Sequence, residues 1–290
     1  MKKIKIAGFV TGISGDNFCR FIASAGRAFG DFLTDEDADF SVTEDLPDAS
    51  VAPYMNEKAL YEISFEGIGC RFGRCGGQIW FTSDDKAASE SHLLLWRPGD
   101  TTVHATSSIC SPTLTRFALW MAVNMLLVGR KCAAVHSSVN VSGGSAVMCL
   151  GESGTGKSTH TRLLRENYPG SFLLNDDSPF VRAFEDGRIM VYGSPWSGKT
   201  PCYKQLAFPL KAVIRLSQAP YNRIRALSPL QAIGAVQPSL PPAFNYDDEM
   251  SDMSCALVSD MVSKVRFYHL ECLPDDAAAR LSYSTVFDEK

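Results

Sequence analysis

Nowhere in the 290-residue chain is there an apolar run of about 18 residues without interruption, so no segment is read as crossing a membrane. Positive charge is not in excess either. The 28 Lys and Arg stand against 32 Asp and Glu, a net charge of −4, whereas a nucleic-acid partner calls for a basic face. Nucleic acid is therefore not expected as a partner. Cysteine pairs at zinc spacing are missing. The nine cysteines include no Cys-x-x-Cys couple, and Cys70 and Cys75 lack a nearby histidine or second pair. Single cysteines in apolar runs, such as Cys149, read as reduced core residues. No signal peptide is read, because Lys5, Ser14 and Asp16 interrupt the apolar stretch after Met1. Together these features point to the cytoplasm. Internal repeats, low-complexity tracts and an Asn-Lys-x-Asp guanine-reading motif are also missing, which disfavours a conventional GTPase.

What is present is the composition of a globular chain, 45% hydrophobic and 21% charged, long enough for one large domain or two ordinary ones. Residues 1–110 read as a strand-rich N-terminal module. Segments 3–10, 61–65 and 78–81 are strand-like, punctuated by Gly67, Gly69, Gly76 and Gly77. Residues 46–55 lack periodicity and read as a loop. Over 112–128, Leu114, Phe117, Ala118, Met121, Met125 and Leu126 recur at helical spacing, with Ser111 or Thr113 as cap and Gly129 as stop.

Residues 111–290 are expected to form the core. A strand over 133–141, a Gly143-Gly144 turn and a strand over 146–150 make an antiparallel hairpin, since a parallel pair needs a crossover of about a dozen residues. The expected fold is therefore α/β, with a mixed β-sheet and flanking helices. A helix over 157–167, a strand from Phe172 and a hairpin at Glu185-Asp186-Gly187 follow. Further on come a strand over 211–216, a helix over 228–236, a strand over 265–271 and a closing helix over 275–281.

Gly151-Glu152-Ser153-Gly154-Thr155-Gly156-Lys157-Ser158 fits G-x-x-x-x-G-K-[ST] without a mismatch, between an apolar strand and a helical stretch. Its glycines let backbone N–H groups turn toward phosphate oxygens, and the following helix adds its positive end. Gly151, Ser153, Gly154, Thr155, Gly156, Lys157, Ser158 and Thr159 are thus expected to bind a nucleoside triphosphate, ATP with Mg²⁺. Lys157 reaches the β- and γ-phosphates, and the Ser158 hydroxyl is a metal ligand.

Asp176 and Asp177 end the next strand, one helix after the loop. A hard cation needs carboxylate oxygens and a hydroxyl acceptor needs a base, so one aspartate holds metal and the other takes a proton. Which does which stays open. His136, on the strand before the loop, is expected to line the site, whereas His160 is expected at the surface. Gly193-Ser194-Pro195-Trp196-Ser197-Gly198-Lys199-Thr200 fits the same pattern. Pro195 removes an N–H, Trp196 is bulky and Pro201 interrupts any helix, so this is not read as a second nucleotide loop. It is expected instead to fold over the first site, so that Lys199 touches the transferred phosphate or an anionic acceptor. Asp84-Asp85 reads as a solvated turn.

The loop GESGTGKST, the histidine-bearing strand before it and the Asp-Asp pair after it resemble the catalytic domain of HPr kinase/phosphorylase, whose core is shared with phosphoenolpyruvate carboxykinase. The resemblance covers residues 133–177. It implies a carboxykinase-like P-loop core and ATP-dependent phosphoryl transfer to a protein or small-molecule hydroxyl. It also implies phosphate and metal roles for Lys157 and Ser158, base and metal roles for Asp176 and Asp177, and a site-lining His136. Thr159 stands where those kinases usually carry Glu, and no HPr-docking stretch is found, so the acceptor is left unidentified. The alternative is an ATP-binding regulatory module with little or no turnover. A homo-oligomer is left open.

Overall fold

Two consecutive left-handed residues, Ala7 (φ 53°) and Gly8 (φ 83°), fold the N-terminus into a tight hairpin. They split the strand expected over 3–10 into β1 (Lys2–Ile6) and β2 (Phe9–Ser14), paired antiparallel. This computed structural model describes all residues except 66, 86, 88, 108–110, 199, 289 and 290. The chain divides into two compact units, Met1–Arg130 with Pro241–Ser254, and Lys131–Leu240 with Cys255–Lys290. Each is α/β, built on a mixed sheet with helices.

The first unit continues with α1 (Asp16–Ser24), α2 (Arg27–Gly30), β3 (Phe40–Leu46), α3 (Val51–Met55), β4 (Tyr61–Phe65) and β5 (Ile68–Cys75). Then come β6 (Gln78–Asp85), β7 (Glu90–Trp96), β8 (Thr102–Thr106) and α4 (Pro112–Val128). Its eight strands run β1-β2-β3-β8-β7-β6-β5-β4, with β2–β3 and β3–β8 parallel. Two expectations change here. Residues 46–55 are not a plain loop, because a 3₁₀ turn (Asp48–Ser50) and α3 follow Pro47. Asp84 and Asp85 pair with Ser91 and Glu90 in the ladder, so they extend a strand rather than form a turn. Ser111 caps α4, its Oγ accepting from the Leu114 N–H at 3.4 Å. The helix is apolar nearly all round and is buried, packing against α1 and strands β3, β6, β7 and β8.

Within Pro241–Ser254, the Asp247 carboxylate receives a two-pronged grip from Arg74, at 2.6 and 2.7 Å. Burial raises the Asp247 carboxyl, but the Arg74 guanidinium carries it below the usual range. Phe244 packs near Phe72, and Tyr246 stacks on Tyr61.

The second unit contains β9 (Cys132–Ala134), β10 (Ser137–Ser142), β11 (Ser145–Leu150), α5 (Lys157–Asn167), β12 (Phe172–Asp177), β13 (Phe180–Ala183) and β14 (Ile189–Tyr192). They are followed by β15 (Ala207–Gln218), β16 (Arg223–Ala226), α6 (Pro229–Val236), α7 (Asp248–Lys264), β17 (Arg266–Cys272) and α8 (Asp276–Phe287). The unit boundary falls within α7. The strand expected over 133–141 is two strands. β9 pairs with β13, whereas β10 pairs with β11 and β12, so the chain changes partners at Val135 and His136. Gly143 (φ 54°) and Gly144 (φ 73°) close the antiparallel β10–β11 hairpin. The closing helix is longer than expected: Asp275 caps α8 through the Ala278 N–H, and the helix runs on to Phe287.

The path β12-β10-β11-β15 positions the site, and β17 lies on the far side of β15. β11–β15 and β15–β17 are parallel. Because β10 is antiparallel to both of its neighbours, β12 runs the same way as β11. Alternate residues of β11 bury against opposite layers. Met148 and Leu150 join a core with Leu257 and Met261 of α7, while Val147 and Cys149 join one with Val286 of α8. A strand covered on both faces has to be apolar throughout, and Ala146–Leu150 is. Each such Val, Leu or Met side chain contributes roughly 1.5–3 kcal/mol of burial.

Candidate functional site

β11 delivers the chain into Gly151-Glu152-Ser153-Gly154-Thr155-Gly156, and α5 begins at Lys157. Gly151, Gly154 and Gly156 have φ of 151°, 83° and 102°, which L side chains rarely adopt. A Cβ at Gly151 would also crowd Thr155 Oγ1 and the Leu216 carbonyl of β15. Thr155 Oγ1 donates to the Glu152 carbonyl at 2.8 Å, tightening the turn. No side chain caps the start of α5, which leaves the first-turn N–H groups facing the loop mouth. Ser153 is exposed, and Thr159 is half-buried on the first turn.

The half-buried Lys157 folds back over this turn. Its Nζ donates to the Gly151 carbonyl at 2.7 Å and the Glu152 carbonyl at 3.3 Å, and lies 3.2 Å from His136 Nε2. Burial pushes its ammonium below the usual lysine range, and Asp177 and Asp176 partly pull it back up. Its neighbour Ser158 donates from Oγ to Asp176 Oδ1 at 3.1 Å.

Asp176 and Asp177 close β12, whose final residue has an unusual backbone, φ 143°. Such a conformation costs on the order of 1–3 kcal/mol in a non-glycine residue. It breaks the alternation of side chains that a regular strand end would impose. The buried Asp176 meets Ser158, while Asp177 places Oδ1 3.3 Å from His136 Nδ1 and accepts from Ser178 Oγ at 3.1 Å. His136 thus stands between Lys157 and Asp177. It does so from the link between β9 and β10 rather than from within a strand, and it is exposed.

The second glycine stretch packs on the end of β12. Gly198 N–H donates to the Asp176 carbonyl at 2.6 Å, and Ser197 forms an isolated bridge with Asp177. A Cβ on Gly198 would sit 3.2 Å from the Asp176 carbonyl oxygen and 3.3 Å from Asp177 Cβ. Lys199 lies outside the described residues. Two contributors carry no motif. Asn175, fully buried beside the pair, donates to the Ser194 carbonyl at 3.3 Å and the Trp196 carbonyl at 3.2 Å, while its Oδ1 accepts from the Ser178 N–H at 3.0 Å. Gln218, at the end of β15, donates to the Gly154 carbonyl at 3.1 Å. The one visible signal for Asn175 is an amide inside an apolar strand.

His160 corrects a sequence expectation. It is buried, with Nε2 2.9 Å from Ser282 Oγ, because its side of α5 packs on α8. Among the described residues, no three or more His, Cys, Asp or Glu side chains are grouped to hold a metal ion. The available oxygen donors are the Ser158 hydroxyl and the two aspartates. Lys157, Ser158, His136, Asp176 and Asp177 are therefore brought together. No described helix is long and apolar enough to cross a membrane.

No protein-family model matches the chain, and no curated protein matches it. Among solved structures it is similar to the Hpr(Ser) kinase/phosphatase from Coxiella burnetii, at 11% identity over 53% of this chain and 88% of that one. The TM-score is 0.31, too low for the likeness to fix either fold or activity.

Proposed function

We propose that the loop Gly151–Ser158 binds the phosphates of ATP with Mg²⁺, and that the protein is a phosphotransferase acting on a hydroxyl acceptor. The observation that carries this reading is the Ser158–Asp176 contact at 3.1 Å beside the Lys157–His136–Asp177 chain. It sets a cation, a hydroxyl and two carboxylates around one glycine turn. A hydroxyl and one or two carboxylates suit Mg²⁺, which completes its shell with phosphate and water oxygens rather than an all-protein cage. When bound, the metal neutralises phosphate charge. Ser158 and Asp176 would hold it, and Lys157 would leave the loop carbonyls for the β- and γ-phosphates. The remaining carboxylate takes the acceptor proton as the acceptor oxygen bonds to the γ-phosphorus and the bond to ADP breaks. The carboxykinase-like P-loop core and a cytoplasmic setting belong to the same proposal. Because His136 and Ser178 both engage Asp177, an ATP-binding regulatory module without turnover is the second reading.

Isothermal titration with Mg·ATP, on wild type and Lys157→Ala, tests the proposal. Losing one charge-assisted phosphate contact should weaken binding by roughly 10- to 100-fold. Folded wild-type protein that binds no Mg·ATP overturns both readings.

A further inference from the structure

A cavity of about 490 Å³ opens beside the glycine loop, on the side away from the aspartates. It has the size of a small-molecule site. Its position follows from the sheet. β11, β15 and β17 are parallel neighbours, so their C-terminal ends share one edge, where α/β sheets present ligand crevices. β11 ends in the loop, while Gln218 and Cys272, the last residues of β15 and β17, are register partners that both line the cavity. β12, with Asp176 and Asp177 at its end, lies on the opposite side of β11. A triphosphate lying across the loop therefore has its reacting end toward β12 and its other end toward β15 and β17.

We infer that this cavity seats the nucleoside, and that it holds a purine base by packing rather than by reading its hydrogen-bonding edge. The inference rests on the nucleotide reading above. Gly154–Gly156 and Thr159 make the cavity continuous with the phosphate loop, and Leu163, Ala219, Cys272 and Leu273 give it apolar walls. The nearby backbone donors are already used. Ala219 N–H donates to the Cys272 carbonyl at 3.1 Å, Leu273 N–H donates to Asn222 Oδ1 at 2.8 Å, and Pro274 has none. Gln218 is tied to the loop through its amide. Pockets that recognise by packing discriminate weakly between isosteres, whereas those built on hydrogen bonds reject them strongly. ATP and GTP should therefore bind within about tenfold of each other, and both at least tenfold more tightly than Mg·tripolyphosphate, which has no base.

The test compares Mg·ATP, Mg·GTP and Mg·tripolyphosphate on wild type by calorimetry and by alkylation of Cys272, read on its own peptide by mass spectrometry. The two nucleotides should shield Cys272 while tripolyphosphate leaves it reactive. Ala219→Trp, which fills the cavity, should weaken ATP at least tenfold and leave tripolyphosphate unchanged. Equal shielding by tripolyphosphate, unaltered ATP binding by the folded variant, or an ATP–GTP gap well beyond tenfold would each overturn the inference while leaving phosphate binding intact. If none of the three ligands binds wild type, the nucleotide reading itself fails, and the nucleoside seat with it.

Discussion

His136 Nε2 lies 3.2 Å from Lys157 Nζ, and this contact sets the proton arrangement of the site. An ammonium can only donate, so Nε2 accepts from Lys157, which assigns the ring N–H to Nδ1, facing Asp177 Oδ1 at 3.3 Å. Asp177 is thereby held by a donor, while Asp176 is held by the Ser158 hydroxyl.

The two aspartates should respond alike in turnover and little in binding. Asp176→Asn and Asp177→Asn are each expected to lower ATP turnover by roughly 100-fold or more, the usual scale for losing a proton acceptor or a metal carboxylate. Mg·ATP affinity should stay within a few-fold by calorimetry. Equal, large losses of affinity in both variants would favour the regulatory reading instead.

Two glycines of the second stretch should separate stability from activity. At Gly198 an added Cβ presses on the Asp176 carbonyl and Asp177, so Gly198→Ala should cut turnover about tenfold or more with a nearly unchanged melting temperature. At Gly193 the same atom collides with the Lys204 carbonyl oxygen, backbone that cannot step aside. Gly193→Ala should therefore cost roughly 1–3 kcal/mol in chemical denaturation.

Asn175 should matter as a fastener of that stretch. Asn175→Ala deletes the amide that donates to the buried Ser194 and Trp196 carbonyls and the oxygen that accepts from the Ser178 N–H, at roughly 1–3 kcal/mol. Asn175→Asp should be worse, since it aims a carboxylate at the same carbonyls. Urea denaturation of the two variants checks the order.

Buried imidazoles make the protein acid-sensitive. Burial lowers His160 to about 4 and His92 to about 3, so both rings are neutral in the folded chain. Below about pH 6.5 the unfolded chain takes up protons that the folded chain refuses, so stability falls as pH drops from 6.5 toward 4. The His160 share is about 3 kcal/mol at most. Urea midpoints should therefore be flat above pH 6.5 and decline below it, with a shallower slope in His160→Gln. A slope unchanged by that substitution would contradict this account.

The sequence made the glycine loop and its hairpin readable, because glycine spacing and a two-glycine turn are local signals. Asp176 and Asp177 were legible as a pair, but not the means by which two neighbouring residues both reach one site. That depends on the φ of Asp177, which no composition encodes. His136 was misplaced within one continuous strand, since a change of pairing partner between β9 and β10 leaves the apolar pattern unbroken. His160 looked like a surface residue because the helix that covers it, α8, lies more than a hundred residues away in sequence. Gln218 and Cys272 had no motif at all; parallel pairing alone makes them neighbours.

The grip of Arg74 on Asp247 has a consequence for how the chain is made. A ribosome emits residues 1–130 before the stretch that carries Asp247, Phe244 and Tyr246, and at ordinary elongation speeds the gap lasts several seconds. Through that interval the nascent first unit holds Arg74 without this carboxylate, and Phe72 and Tyr61 without these aromatic neighbours. The unit that is translated first is thus finished late, and its completion waits on translation of most of the second.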